Sequence, residues 1–495
     1  MSDILNIGTV SDQSAGSGSG TVRDGDNLNT GVLRRKYNFG DKVSELSIAQ
    51  DPFFRFVSKV AKSPTDDPSF KFTERRHSFH KRYVYIAKGG SNFDTDVDTG
   101  SSYTNNTLGS TTYFKVYTDI GASGNLQNVY GQTSTIYENV GSQAKPGFLI
   151  PGQVMKVNTS TTAGATTSDG YQLVSISSVV DSGNYVHVTG KIVKPSGVDA
   201  SNVFTLDHTI AGVSSAAAYP SQESLEPYRA YIVGSAFQAG SGYPETWDDQ
   251  PFSTGYGQTQ IWKTTMAMNN TDRATVLKYE GNEWARIWKE KLIEHKWDIE
   301  QSLLFGRQYT DGSTPYTQGA VDFISTYGNA FTLPIATKTQ DSFLDDLSAY
   351  LDPRYNASKA NVFFCSTAVW NWLHKLGGYF SNNLELSTNF NADFAVMGKK
   401  KVLGLNSTNI TTPYGDMNVV RNVHLDGTNV QMLGINMNHC KYRPLVGNGI
   451  NRDTSVYVGV QTLENSGVDR RVDQILTEAG MQWEMPEAHA VWTTS

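Results

Sequence analysis

The sequence predicts an α+β chain with more than one core and an all-β unit set into its first half. Three observations carry that reading. Residues 277–305 repeat apolar side chains at a helical period, with Trp284, Ile287, Trp288, Leu292, Ile299 and Leu303 falling near one face. After residue 340, short apolar runs alternate with helical stretches and turn signals. Residues 89–215 hold no Trp and no Cys, only five Lys/Arg, and much Ser, Thr, Gly and Val.

Bulk properties fit several packed units. A chain of 495 residues has room for two or three cores. An apolar content of 38% is enough to exclude general disorder. The 25 Tyr, 22 Phe and 9 Trp lean mildly toward interfaces, where aromatics give broad contact area with polar tips. Cys365 and Cys440 stand alone, so no disulfide framework is expected. The N-terminus lacks a secretory pattern, and no run of apolar residues is long enough for a membrane span, so a soluble protein made in a reducing compartment is expected. Residues 34–88 carry thirteen Lys/Arg against six Asp/Glu, a surplus of seven, so the rest sums to -14 within a net charge of -7. A basic arm on an acidic body suits nucleic acid or acidic neighbours.

Residues 1–32 are Ser-, Gly-, Asp- and Asn-rich and cannot bury enough surface to order themselves. Residues 43–61 read as a short helix, with Pro52 near its start or breaking it. Residues 70–74 and 83–87 read as strands, with the basic loop Arg75-Arg-His-Ser-Phe-His-Lys-Arg82 between them. Strands are expected at 111–116, 152–157, 171–180, 185–192 and 203–206, a spacing that suits a small β-barrel or sandwich. Residues 255–268 are extended. The helix at 277–305 spans roughly 40 Å. Its expected features are Arg286–Glu290 and Lys296–Glu300 pairs on the wetter side and a left-handed stop at Gly306. A helix follows at 341–351 and a buried strand at 361–365. A second helix is capped by Ser366 and ended by Gly377-Gly378. Strands at 412–420, 432–435 and 457–460 continue a sheet, and 471–492 holds two extended runs.

These elements, in this order, resemble the major capsid protein family of tailed bacteriophages. The local matches are Gln260-Ile-Trp262, the segment Glu283 to Gly306 with its Ile-Glu-Gln-Ser-Leu-Leu, and Glu484-Met-Pro-Glu-Ala-His489. The resemblance implies an HK97-like capsid fold: an N-terminal arm (1–60), an extended β loop (61–88 and 216–268), and a peripheral domain with a spine helix (269–339). An axial α/β domain (340–454) and C-terminal strands of the peripheral domain (455–495) complete it. Residues 89–215 are extra, an inserted small β-barrel or sandwich that projects from the shell or cements capsomers. The implied function is self-assembly into the icosahedral head shell around double-stranded DNA, with no cofactor. The implied partners are copies of itself in hexamers and pentamers, with portal, scaffolding and decoration proteins, and no membrane. The implied location is the virion, after synthesis in the host cytoplasm.

Contacts between subunits are expected at Arg34, Arg35, Lys36, Arg75, Arg76, Lys81, Arg82 and Trp262. The first three face either packaged DNA, through salt-sensitive phosphate contact, or a neighbouring capsomer. Trp284, Trp288 and Trp297 are expected to be structural core. No catalytic or metal site is expected. His77 and His80 with Glu74 have ligand-like spacing, but a metal needs a fuller preorganised set. Asp94, Asp96 and Asp98 alternate without the closing Glu of a calcium loop. Cys365 with His374, and Cys440 beside His439, lack a third orienting group. Two other functions compete. A fibre protein with a glycan-binding β domain would carry β repeats throughout. A polysaccharide-active enzyme would need a defined carboxylate pair.

Overall fold

The computed structural model describes residues 51–75, 82–88, 106–117, 126–127, 133–134, 148–162, 167–181, 186–198, 204–205, 229–244, 253–276, 282–353, 356, 361–382, 395–402 and 405–494. Residues 1–50, the loop at 76–81, and Asp94, Asp96 and Asp98 lie outside them, as do the expectations made there for Arg34, Arg35, Lys36, Arg76, His77, His80 and Lys81.

The C-terminal half is built on a seven-stranded mixed sheet. Its strand order is Asn329–Thr332, Ala490–Thr493, Val430–Asn436, Asn361–Cys365, Gly415–Arg421, Leu405–Thr412 and Ala395–Val402. Strand alternation sends successive side chains to opposite faces. Phe363, Cys365, Val419, Met432 and Trp492 pack with Phe343 and Leu347 of the Gln340–Tyr350 helix and Val369 and Leu373 of the Thr367–Asn382 helix. Val362, Phe364, Val420, Leu433, Ile435 and Val491 face the other way, into the core shared with the Pro52–Val60, Glu283–Phe305 and Ala320–Tyr327 helices. A sheet covered on both faces explains why Asn361–Cys365 is buried at every position.

A second sheet runs through the same core. Arg470–Trp483 pairs from Arg470 to Ala479 with Gln260–Asn269, and on its other side with Cys440–Pro444 and Ser455–Gln461. The two extended runs expected near the C-terminus therefore belong to different sheets. Arg470–Trp483 lies in this one and Ala490–Thr493 in the other. Likewise Ser455–Gln461 does not continue the sheet of Val430–Asn436.

Six antiparallel strands close into a ring. Tyr83–Lys88, Thr111–Tyr117, Val186–Lys194, Gly170–Asp181, Gln153–Ser160 and Arg229–Ser235 pair in that order, and the last pairs back to the first. Closure leaves no open edge among the six. Val84, Phe114, Met155, Val174, Val188 and Ile232 fill the interior. The ring takes its first and last strands from outside 89–215. Tyr83–Lys88 is thus a barrel strand, and among the described residues the two-stranded ribbon is Ser69–Glu74 paired with Ser253–Gln258.

The long helix is shorter than its apolar period suggests, Glu283–Phe305, or about 35 Å at the usual rise. Asn282 starts it by accepting from Ala285 N–H at 3.1 Å. Gly306 does not stop it in the left-handed region. Its φ is -62°, and a Cβ there would lie 2.3 Å from Ser302 O and 3.1 Å from Thr317 O. Glycine is needed for close approach: Gly319 N–H donates to Gly306 O at 3.0 Å as the returning chain crosses the helix end. The Thr367–Asn382 helix runs through Gly377-Gly378 rather than ending there.

Candidate functional site

The surface features with functional content are an apolar edge strand and the two-stranded ribbon. Among the described residues Ser455–Gln461 is paired on one side only, through Arg470–Trp483. It exposes Val456, Tyr457, Val458 (65%) and Val460, and the following turn exposes Leu463 (53%) and Val468. Gly459 sits at φ +66° and its N–H donates to Asp473 Oδ1 at 2.7 Å, which bends the strand out of register there. An unpaired, apolar edge on a folded subunit is a template for another chain.

The ribbon is held at both ends of its first strand and exposes Tyr256 on its second. Phe70 and Phe72 lie across from Gly257 and Gly255, and each ring occupies the space a Cβ would take on its partner. Phe70 is buried, with the Arg443 guanidinium 5.3 Å from its ring centre. Tyr256 is 61% exposed. At the end of the first strand the Glu74 carboxylate is buried and accepts from Met485 N–H at 2.9 Å. Met485 has φ +48°, uncommon for a residue with a side chain, and stands at the switch between the two sheets. Around it Trp483 stacks on Phe53 and Phe323, and its Nε1–H donates to Gln318 O at 3.2 Å. His489 Nδ1 accepts from Asn436 N–H at 3.3 Å while Nε2 donates to Glu484 O at 3.1 Å, a neutral ring. Burial holds its pKa down to about 3. The segment from Glu484 to His489 is therefore the joint that fastens the ribbon to both sheets.

Of the anticipated contact residues, Arg75, Arg82 and Trp262 lie among the described residues. Arg75 is half-buried and Arg82 is exposed at φ +53°. Trp262, expected between subunits, is 6% exposed inside the core, and its Nε1–H donates to Ser302 Oγ at 3.0 Å. The expected core tryptophans are only half-buried. Trp284 lies beneath the guanidinium groups of Arg273 and Arg471, at 5.8 and 5.1 Å, and Trp297 meets His424 edge-on at 4.6 Å. The buried stripe of that helix is His295, Ile299, Glu300, Leu303 and Leu304.

Two of these were legible only as ordinary polar positions. His295 sits between Thr264 Oγ1 and Thr477 Oγ1, each 2.8 Å from a ring nitrogen, and desolvation lowers its pKa to about 4. Glu300, expected to pair with Lys296 in solvent, is fully buried. It accepts from Phe53 N–H at 3.1 Å, Phe54 N–H at 2.6 Å and Asn422 Nδ2 at 2.9 Å. The Arg286 pair with Glu290 is present at 2.5 Å, and Arg286 also bonds Glu283.

The cysteines sit in apolar surroundings. Burial raises the Cys365 thiol far above its usual range and pushes Cys440 up to about 12, so both stay protonated and poorly nucleophilic. His374 is turned to the carbonyl of Trp370 at 2.8 Å. Among the described residues no group of three or more His, Cys, Asp or Glu could hold a metal ion. Among them, too, no helix is long and apolar enough to cross a membrane.

A family model described as SU10 major capsid protein matches residues 24–494. No curated protein matches the chain. Among solved structures, the chain is similar to one from Gordonia phage Cozz, at 11% identity over 52% of this chain and 77% of that one, with a TM-score of 0.34. A structure from Mycobacterium phage Patience gives 12% identity over 53% and 77%, with a TM-score of 0.35. The asymmetric unit of the bacteriophage PhiM1 mature capsid gives 10% identity over 53% and 78%, with a TM-score of 0.33. These superpositions are partial and loose, so the assignment rests on the family match, which runs almost the length of the chain.

Proposed function

The chain belongs to the SU10 major capsid protein family, and from that premise we propose how its parts build a shell. It is a tailed-phage major capsid protein with the HK97-like fold, a structural component of the virion that self-assembles into the icosahedral head. In our reading residues 1–60 are the arm. The ribbon of Ser69–Glu74 and Ser253–Gln258 is the base of the extended loop, and Glu283–Phe305 is the spine helix. The sheet of Arg470–Trp483 belongs to the peripheral domain, and the seven-stranded sheet with its two flanking helices is the axial domain. The closed barrel is an insert at the tip of the extended loop, where it projects from the shell or bridges capsomers. Copies associate as hexamers and pentamers, with portal, scaffolding and decoration proteins as further partners and packaged DNA nearby. Arg75 and Arg82, with Arg34, Arg35, Lys36, Arg76 and Lys81, supply basic contact surface.

The observation that carries this reading is the apolar edge at Ser455–Gln461, backed by a ribbon of two strands. The ribbon leaves Tyr256 largely exposed, and an exposed apolar edge favours association. Both are satisfied by lying against other copies. Many weak contacts of this kind sum to a permanent lattice.

The test is negative-stain microscopy and sedimentation of the purified chain. Shells or capsomer rings are expected from the wild type. Val458→Glu should leave a folded, unassembled subunit, because its side chain is mostly in water in the isolated molecule. Normal particles from a Val458→Glu/Tyr256→Ala double variant would overturn the assignment of these surfaces. Deleting 253–268 is not a clean alternative, since it removes the strand that carries Trp262 and Met266 into the core.

A further inference from the structure

Glu300 has no exposed surface, and no cation among the described residues is hydrogen-bonded to it. A buried carboxyl without a counter-charge is costly unless donors fill its oxygens. Phe53 and Phe54 N–H, which fill two of those positions, open the Pro52–Val60 helix, where the first amides have no partner within the helix itself. Asp51, at the cap position, makes no side-chain cap bond and pairs with Arg55 at 2.6 Å instead. Glu300 thus performs the capping task for this helix, from 246 residues away in sequence. Asn422, the third donor, follows the Gly415–Arg421 strand, so one carboxylate joins the long helix, the seven-stranded sheet and the helix at the base of the N-terminal segment.

We propose that Glu300 is a positioning residue for assembly: by capping the Pro52–Val60 helix it fixes the position and direction of the helix start at Asp51, the point at which the N-terminal segment joins the subunit. The proposal rests on the reading of that segment as an arm that engages other copies. The helix is otherwise held by Phe53, Phe54, Phe56 and Val57, which anchor it but are nonpolar and give its start no directional bond. The charged and titratable groups about Glu300 are Asp51, tied to Arg55, on the capped helix; Lys296, one turn back on its own helix; and His424, two residues beyond Asn422 and 2.6 Å from Gln301. Desolvation pushes the Glu300 carboxyl up to about 7 against the pull of its three donors, and Asp51 adds to the rise. The docked form therefore holds its proton more firmly than a released form near the ordinary 4.5. Anchorage is tightest at or below the released value and loosens as pH rises through about 7.

The experiment follows amide exchange at Phe53 and Phe54 in the full-length subunit between about pH 4.5 and 8, beside shell yield, for wild type and Glu300→Gln. Glutamine keeps the shape but turns one accepting oxygen into a donor that faces another donor. In Glu300→Gln, corrected exchange at both amides should be at least roughly tenfold faster at the acid end, its dependence on pH through this window should vanish, and closed shells should fall several-fold. Asn422→Ala, which removes one donor and leaves the carboxylate, serves if Glu300→Gln does not fold; it should speed exchange at the same two amides. Wild-type exchange and yield in these variants would overturn the proposal, as would altered exchange with unaltered yield. A wild type that forms no shell while the exchange difference persists would instead defeat the shell-building reading and leave the cap standing.

Discussion

At the scale of single residues, the polar groups inside this subunit set its response to acid. His295 and His489 are buried as neutral rings, with pKa values lowered to about 4 and about 3 by desolvation. An unfolded chain takes up their protons near pH 6.5, so their contribution to stability is whole above that value and is lost as pH falls toward 4 and then 3. Urea unfolding of the wild type should lose stability across that range, and His295→Gln should flatten the part of the slope above pH 4. A wild-type profile in that variant would remove His295 from the account. Tryptophans separate by the same logic of burial. Trp262→Ala should cost about 3–5 kcal/mol, since it empties core and removes the Nε1–H bond to Ser302 Oγ. Trp284→Ala should cost clearly less, because its ring is half in solvent beneath two guanidinium groups. Thermal melts of the two variants decide it.

At the scale of elements, ends matter more than middles. Asn282→Ala removes the cap of the long helix and should lower stability by about 1 kcal/mol. Gly306→Ala should cost more, about 1–3 kcal/mol, because a Cβ 2.3 Å from Ser302 O forces apart two backbones that meet there. If that variant melts like the wild type, the close approach of Gly306 and Gly319 is not a constraint. The interior of the same helix was readable from its period, yet the period put Trp284 and Trp288 on the face with Ile299 and Leu303. Ile299 and Leu303, in the last two turns, enter the core shared with the Pro52–Val60 and Ala320–Tyr327 helices and the seven-stranded sheet, whereas Trp284, in the first turn, meets the guanidinium groups of Arg273 and Arg471 and stays half in solvent. A repeat in sequence shows which side chains share a face, and the length of the packing partner decides how much of the face is buried.

At the scale of the whole molecule, the closed barrel is separable and the rest is not. Its six strands run from Tyr83 to Ser235 and share one interior. A fragment of residues 83–235 should fold alone with a cooperative melt, whereas residues 89–215 lack the first and last strands and should not. Equal melts from both fragments, followed by circular dichroism, would show that closure by Arg229–Ser235 is dispensable. The two sheets of the remaining body share a core, and Arg470–Trp483 and Ala490–Thr493 place one short stretch of chain in both. No cut in that body leaves two intact cores.

The sequence by itself determined the α+β class, the order of the elements and the all-β composition of the barrel. It also determined the identity of most strands and helices and the resemblance that the family match bears out. These follow from periodicity, turn chemistry and composition, which are local and need no partner. Tertiary structure alone decided which strands closed the barrel, and that the terminal runs divide between two sheets. It also decided that Trp262 is inside while Trp284 is half in solvent, and that Glu300 caps a helix instead of pairing with Lys296. Each of those depends on groups distant along the chain, 246 positions apart for Glu300 and Phe54, arriving at one place, and spacing along the chain carries no information about which distant donor will meet a given carboxylate.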